Sequence, residues 1–205
     1  MKYRLLTMLM IVLTSFSCGK DEDDNVLVDI DGNRYKIIGI GTQTWMAENL
    51  KVTRDRSGNP LESYCYIDRD DFCKQFGRLY TWEEALKAAP AGWHVPSDEE
   101  WQQLELELGI SPDGVYRQGW RGTDHGLQLA QGGSSGFEGL YAGYKDGTVF
   151  WDGRYFDMGY FGAFWTRTYV DSLRAVGFFL YNNEGRVLRD FYDKTAAFSV
   201  RCLKD

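Results

Sequence analysis

A mixed α+β domain follows from three features of the sequence. Two capping-box tetrapeptides, Thr81-Trp82-Glu83-Glu84 and Ser97-Asp98-Glu99-Glu100, each lead into apolar residues of helical period. Alternating segments bounded by turn residues open and close the chain. Between them, residues 114–162 are dense in Gly and carry aromatics singly, which describes long ordered loops with short strands. The 205 residues, 43% apolar and 26% charged, suffice for one buried core.

Residues 1–17 read as an export signal: Lys2 and Arg4, an apolar run from Leu5 to Leu13, then small residues at Ser15 and Ser17. The run is shorter than the about 20 residues that span a bilayer. Residues 18–25 are an acidic tether, and 26–205 form the domain. Removal of Lys2 and Arg4 with the signal leaves 21 basic against 30 acidic residues, taking the charge from -7 to -9. Such a balance disfavours nucleic acid as a partner, because phosphate binding needs clustered cations.

Within the domain, Asp29 to Ile38 reads as a hairpin turning at Asp31-Gly32-Asn33, its second strand running on through Ile40 and Gly41 to Met46. The first helix places Trp82, Ala85, Leu86 and Ala89 on one face and stops at Pro90; the second places Trp101, Leu104 and Leu108 on one face and closes at Gly109. Four strands end the chain: Ala163–Thr168, Ala175–Tyr181, Arg186–Arg189 and Ala197–Leu203, with Asn182-Asn183-Glu184-Gly185 joining two of them in a meander.

Ser15-Phe16-Ser17-Cys18 resembles a bacterial lipobox, which implies a lipid on Cys18 as the first mature residue. The following Gly19-Lys20-Asp21-Glu22-Asp23-Asp24 resembles the export tag of surface lipoproteins of the Bacteroidetes; as plain chemistry it is a charged, extended tether. The expected location is the outer membrane, through the lipid anchor, facing the medium.

Four motifs carry a wider resemblance. Thr42-Gln43-Thr44-Trp45-Met46-Ala47-Glu48-Asn49-Leu50, Gly77-Arg78-Leu79-Tyr80-Thr81-Trp82, Gly92-Trp93-His94-Val95-Pro96-Ser97-Asp98-Glu99-Glu100-Trp101 and Phe198-Ser199-Val200-Arg201-Cys202 resemble the Fibrobacter succinogenes major paralogous domain family. More distantly, the Pro-Ser-x-x-Glu-Trp helix and late Val-Arg-Cys strand resemble the formylglycine-generating-enzyme branch of the C-type-lectin-like fold. That likeness implies two short helices on a twisted, mainly antiparallel sheet with long ordered loops. Trp45, Trp82, Trp93 and Trp101 are expected in the core.

Cys65 and Cys73, eight positions apart, are expected to pair as a disulfide in an oxidising compartment. Metal binding is the alternative, but the spacing is not C-x-x-C and His94 and His125 are distant in sequence. The resemblance implies a further pairing, since many members of that family carry a Cys just before the Pro-x-Gly-Trp-His motif; this chain has Ala89 there, which leaves Cys202 without that partner and expected as a small buried group. A formylglycine-type oxidase would need paired reactive cysteines. A hydrolase drawn from Ser97 or Ser134 with His94 or His125 lacks a nucleophile elbow. The Glu83-Glu84 and Glu99-Glu100 pairs belong to helix starts. No catalytic residue, cofactor or metal is assigned. Calcium ligation by Asp68, Asp70 and Asp71, or by Asp146 and Asp152, lacks the loop signature.

A candidate ligand-binding surface combines Trp120, Arg121, Tyr144, Trp151, Asp152, Arg154 and Tyr155, since aromatic faces with nearby charges suit sugars. The same residues could anchor the loops by packing. The expected function is a non-catalytic binding or adhesion module for a glycan or protein. The alternatives are an enzyme acting on extracellular glycan or protein, and a structural envelope component.

Overall fold

The computed structural model describes residues 25–147 and 153–205. Cys18, with the signal and nearly all of the tether, and Trp151 with Asp152 lie outside the described residues. The opening hairpin forms from β1 (Val26–Val28) and β2 (Arg34–Ile40), antiparallel, with Leu27 opposite Tyr35. The Asp29 carboxylate closes its turn by accepting the N–H groups of Asp31 and Asn33, and also accepts the Tyr35 hydroxyl at 2.6 Å. The second strand stops short of the expected Met46. Gly41 takes φ 58, and β3 (Gln43–Met46) folds back on β2 with Ile38 opposite Trp45.

The loop expected around the two cysteines is partly helical. A 3-10 turn over Tyr66–Asp68 leads into α1 (Asp70–Phe76), whose first turn holds Asp70 and Asp71 and whose last holds Lys74, the charge order a helix dipole favours. After β4 (Tyr80–Thr81) comes α2 (Trp82–Ala88). Thr81 stands at its N-cap, but its hydroxyl makes no capping bond, so the first box is not formed. Glu84 instead pairs with Lys87 at 2.6 Å and accepts the Glu62 N–H. The buried stripe centres on Ala85 with Trp82 and Ala88, which turns Leu86 to solvent rather than into the expected face.

β5 (Trp93–His94) precedes α3 (Asp98–Glu107). Here the box is complete: Ser97 Oγ accepts the Glu100 N–H at 3.2 Å, and Glu100 accepts the Ser97 N–H at 2.6 Å. Gly109, at φ 102, closes the helix through N–H bonds from Gly109 to Leu106 and from Ile110 to Glu105. Two helices were expected; the described residues hold five, because α4 (Pro112–Val115) and α5 (His125–Leu129) punctuate the Gly-rich stretch. That stretch also supplies β6 (Gly119–Arg121), β7 (Tyr144–Lys145) and β8 (Tyr155–Phe156).

The meander is β9 (Phe161–Tyr169), β10 (Arg174–Tyr181) and β11 (Val187–Asp193). The last expected strand divides into β12 (Ala197–Phe198) and β13 (Leu203–Lys204). Between them Ser199, Val200 and Cys202 offer their carbonyls to the N–H groups of Trp165, Leu50 and Met46. A segment that crosses from one sheet to another cannot keep one partner strand. The described strands therefore form three antiparallel sheets, in the orders β1-β2-β3-β13-β5, β6-β11-β10-β9 and β4-β12-β7-β8, rather than one.

The meander sheet divides the interior. Phe161, Ala163, Trp165, Ala175 and Phe179 face one apolar cluster with Trp82 and Ala85 of α2. Phe164, Phe178, Leu180 and Val187 face a second with Trp101 and Leu104 of α3. The two-residue alternation of a strand builds both cores from the same segments.

Candidate functional site

Strand β6 lies at the edge of the meander sheet, paired among the described strands with β11 alone, and consecutive side chains on it point to opposite faces. Trp120 points outward and is 40% exposed. Its ring lies 5.2 Å from that of Tyr181, and the Arg186 guanidinium sits 5.1 Å above it. Arg186 is held by Glu184 through contacts of 3.0 and 2.7 Å, and this side-chain bonding, with the Arg186 N–H, draws the Glu184 carboxyl down to about 2. Tyr181 in turn packs on Phe161 at 4.7 Å. The result is an aromatic platform flanked by a cation and a carboxylate.

Arg121 goes the other way, and the expectation that it stands beside Trp120 on the surface is corrected. It is buried, pairs with Glu105 at 2.5 Å and donates to the Val115 carbonyl. Burial lowers Arg121 and pushes the Glu105 carboxyl up to about 8 against the pull of Arg121. Asp98 and Arg189 add a neighbouring ion pair at 2.5 Å.

The other expected residues that the structure describes are scattered. Tyr144 is half-buried in a ring cluster with Phe156, Phe161, Tyr192 and Phe198, all within 5.9 Å. Tyr155 donates its hydroxyl to Asp68 at 2.5 Å and packs 5.3 Å from Tyr66, which pins the loop before α1. Arg154 is exposed on the approach to β8. Among the described residues of the surface proposed from sequence, only Trp120 is an outward-facing ring on the meander edge. Sequence reasoning missed Tyr181 and Arg186; they flank the Asn182–Gly185 turn, and that signal places them at a hairpin tip.

Cys65 and Cys73 form the expected disulfide, with Cα atoms 4.9 Å apart. Arg78 Nη1 rests 3.5 and 3.3 Å from the two sulfurs. Cys202 is a free, buried thiol whose burial raises it far above the usual range. His94 has both ring nitrogens on carboxylates, Nδ1 at 2.6 Å from Asp205 and Nε2 at 2.9 Å from Glu100. Asp68 is engaged by Tyr155, and Asp71 by Arg69 at 2.5 Å.

The four sequence motifs meet inside the fold. Trp45, Trp82, Trp93 and Trp101 are all buried; Trp45 and Trp101 pack 4.9 Å apart, and Trp101 stacks on Phe178 at 4.3 Å. The Trp82 indole donates to the Thr166 carbonyl at 2.8 Å. Asn49 donates to the Phe76 carbonyl at 2.8 Å and to Ser199 Oγ at 3.1 Å, while Arg201 donates to the Glu138 carbonyl at 2.6 Å. These residues hold the scaffold on which the aromatic platform stands.

No helix among the described residues is long and apolar enough to cross a membrane. No curated protein and no solved structure matches the chain. The model of the Fibrobacter succinogenes major domain matches residues 38–204, a span that takes in all four motifs, β6 and the meander. With that span covered, this chain belongs to the Fibrobacter succinogenes major domain family.

Proposed function

We propose that this protein is a non-catalytic binding module, carried on the outer surface of the outer membrane by a lipid on Cys18, and that it engages a glycan through Trp120. The exposed ring of Trp120, fixed between Tyr181 and Arg186, carries the reading. A flat aromatic face accepts the C–H face of a sugar, while a nearby guanidinium and carboxylate bond hydroxyls. Holding the ring in place beforehand lowers the entropy lost on binding.

The disulfide supports placement outside the cytoplasm, where thiols oxidise. The signal layout and Cys18 support the anchor. A kinship with the C-type-lectin-like fold belongs to the same proposal. It is supported by the packing of α2 and α3 on opposite faces of the meander sheet and by β13 joining the opening strands in one sheet.

An array of neutral glycans probed with the Cys18→Ser protein tests the binding reading. Wild-type surface should give saturable hits without turnover, and Trp120→Ala should abolish them while leaving the fold intact. Undiminished binding by that variant, or product release from a bound glycan, overturns it. Cys18→Ser should also release the protein from membranes; continued tight association would sink the anchor.

A further inference from the structure

A cleft that shares no lining residue with the platform lies over the buried motif network. It measures about 340 Å³ and is lined by Lys36, Lys51 and Lys74 together with Glu48 and Glu138. A cleft of about 220 Å³ shares Lys51 and Lys74 with it and adds Arg78 and the carboxylate of Asp70, so the two form one groove. In a chain of charge -7 this is a concentration of cations. None of the three ammonium groups forms an ion pair among the described residues; Lys51 lies 5.4 Å over the Tyr35 ring instead. The two carboxylates of the larger cleft are committed to backbone donors: Glu48 accepts the Lys36 N–H at 2.8 Å, and Glu138 the Gly132 N–H at 3.1 Å.

The floor contributes a further positive charge. Asn49, which lines the cleft, carries the fully buried Arg201 on its Oδ1 at 2.6 Å. Arg201's remaining bonds go to the carbonyls of Met46, Phe137 and Glu138, so no carboxylate touches it. Its charge acts across the low-dielectric interior on Glu48 and Glu138 at the cleft, offsetting these carboxylates beside the three lysines. The walls supply the other contacts a sugar uses. The amides of Gln75 and Gln131 can bond hydroxyls, and Phe76 and Leu140 offer apolar contact.

We propose that this groove binds an acidic saccharide, with the Lys36, Lys51 and Lys74 ammonium groups taking its oxyanion, a carboxylate or a sulfate ester. The site is separate from Trp120 and stands whether or not the aromatic platform binds anything.

Calorimetric titration of the Cys18→Ser protein tests it with trigalacturonic acid, a sulfated chondroitin tetrasaccharide, neutral galactotriose and a polyglutamate peptide. At least one acidic sugar should bind about tenfold or more tightly than the neutral one, and binding should weaken as salt rises. The preferred acidic probe identifies which oxyanion is recognised. Lys36→Gln/Lys51→Gln/Lys74→Gln should lose the acidic sugar, with Lys74→Glu on the exposed face of α1 as a second variant if the triple change unfolds the protein. Trp120→Ala should keep it. Equal binding of the neutral sugar, equal binding of polyglutamate, undiminished binding by a folded lysine variant, loss in Trp120→Ala, or no saturable acidic sugar would each overturn the proposal.

Discussion

Arg201 Nε donates to Asn49 Oδ1 at 2.6 Å across 152 residues of chain, with both side chains buried. The bond joins the first and last sequence motifs. Asn49 then reaches Phe76 and Ser199, and Arg201 reaches Phe137 and Glu138, so four segments meet at two side chains. The Arg201 guanidinium also lies 4.7 Å from the Phe137 ring, and its burial draws it down to about 9.

Asn49→Ala should therefore cost about 2 to 4 kcal/mol, because it leaves a buried guanidinium N–H and the Phe76 carbonyl without partners. Urea unfolding followed by Trp fluorescence measures this. A loss below about 0.5 kcal/mol would show that water or a shifted side chain replaces the amide.

Gly77 sits against the same hub. It takes φ 82, and a Cβ there would stand 2.5 Å from Asn49 Cβ. Gly92 has a comparable φ of 77 with nothing within 4 Å. Gly92→Ala should thus show backbone strain alone, about 1 kcal/mol, and Gly77→Ala at least about 2 kcal/mol more from the clash. Equal losses would mean the Asn49 contact yields without cost.

The Cys65–Cys73 bridge closes a loop of eight residue steps. Loop-closure entropy for that length gives about 2 to 3 kcal/mol. Cys65→Ser/Cys73→Ser should lower the denaturation midpoint accordingly. It should also free the Tyr155–Asp68 contact, seen as faster amide exchange across residues 66–76. Unchanged stability and exchange would place the constraint in helix α1 itself.

Glu184 is depressed first by the side-chain bond from Arg186 and then by the Arg186 N–H. A depressed carboxyl contributes its stabilisation above the ordinary carboxylate range and loses it as pH falls through about 2. A carbon-detected NMR titration should put its midpoint near that value, and Arg186→Gln should return it toward the ordinary range. The same variant should loosen Trp120, read as a red-shifted emission. A wild-type midpoint in the ordinary range would mean that Arg186 is not held over the ring.

Several elements were legible because their causes are local. The Ser97 capping box and the Gly109 closure depend on residues within one turn, so spacing alone located α3. The Cys65–Cys73 pairing and the strands of the meander have equally short-range causes. Thr81 misled because its box has the right letters while Glu84 finds Lys87 and Glu62 instead.

By itself the sequence determined the α+β class, the motif order, the disulfide and the burial of the motif tryptophans, since period, spacing and hydrophobicity specify them. Only the tertiary structure decided that Trp120 faces out while Arg121 enters the core, that Arg201 closes on Asn49, and that the last strand divides between two sheets. Each of these depends on which distant segment lies alongside. Contact between residues many positions apart is set by packing of the whole chain, which no local pattern encodes.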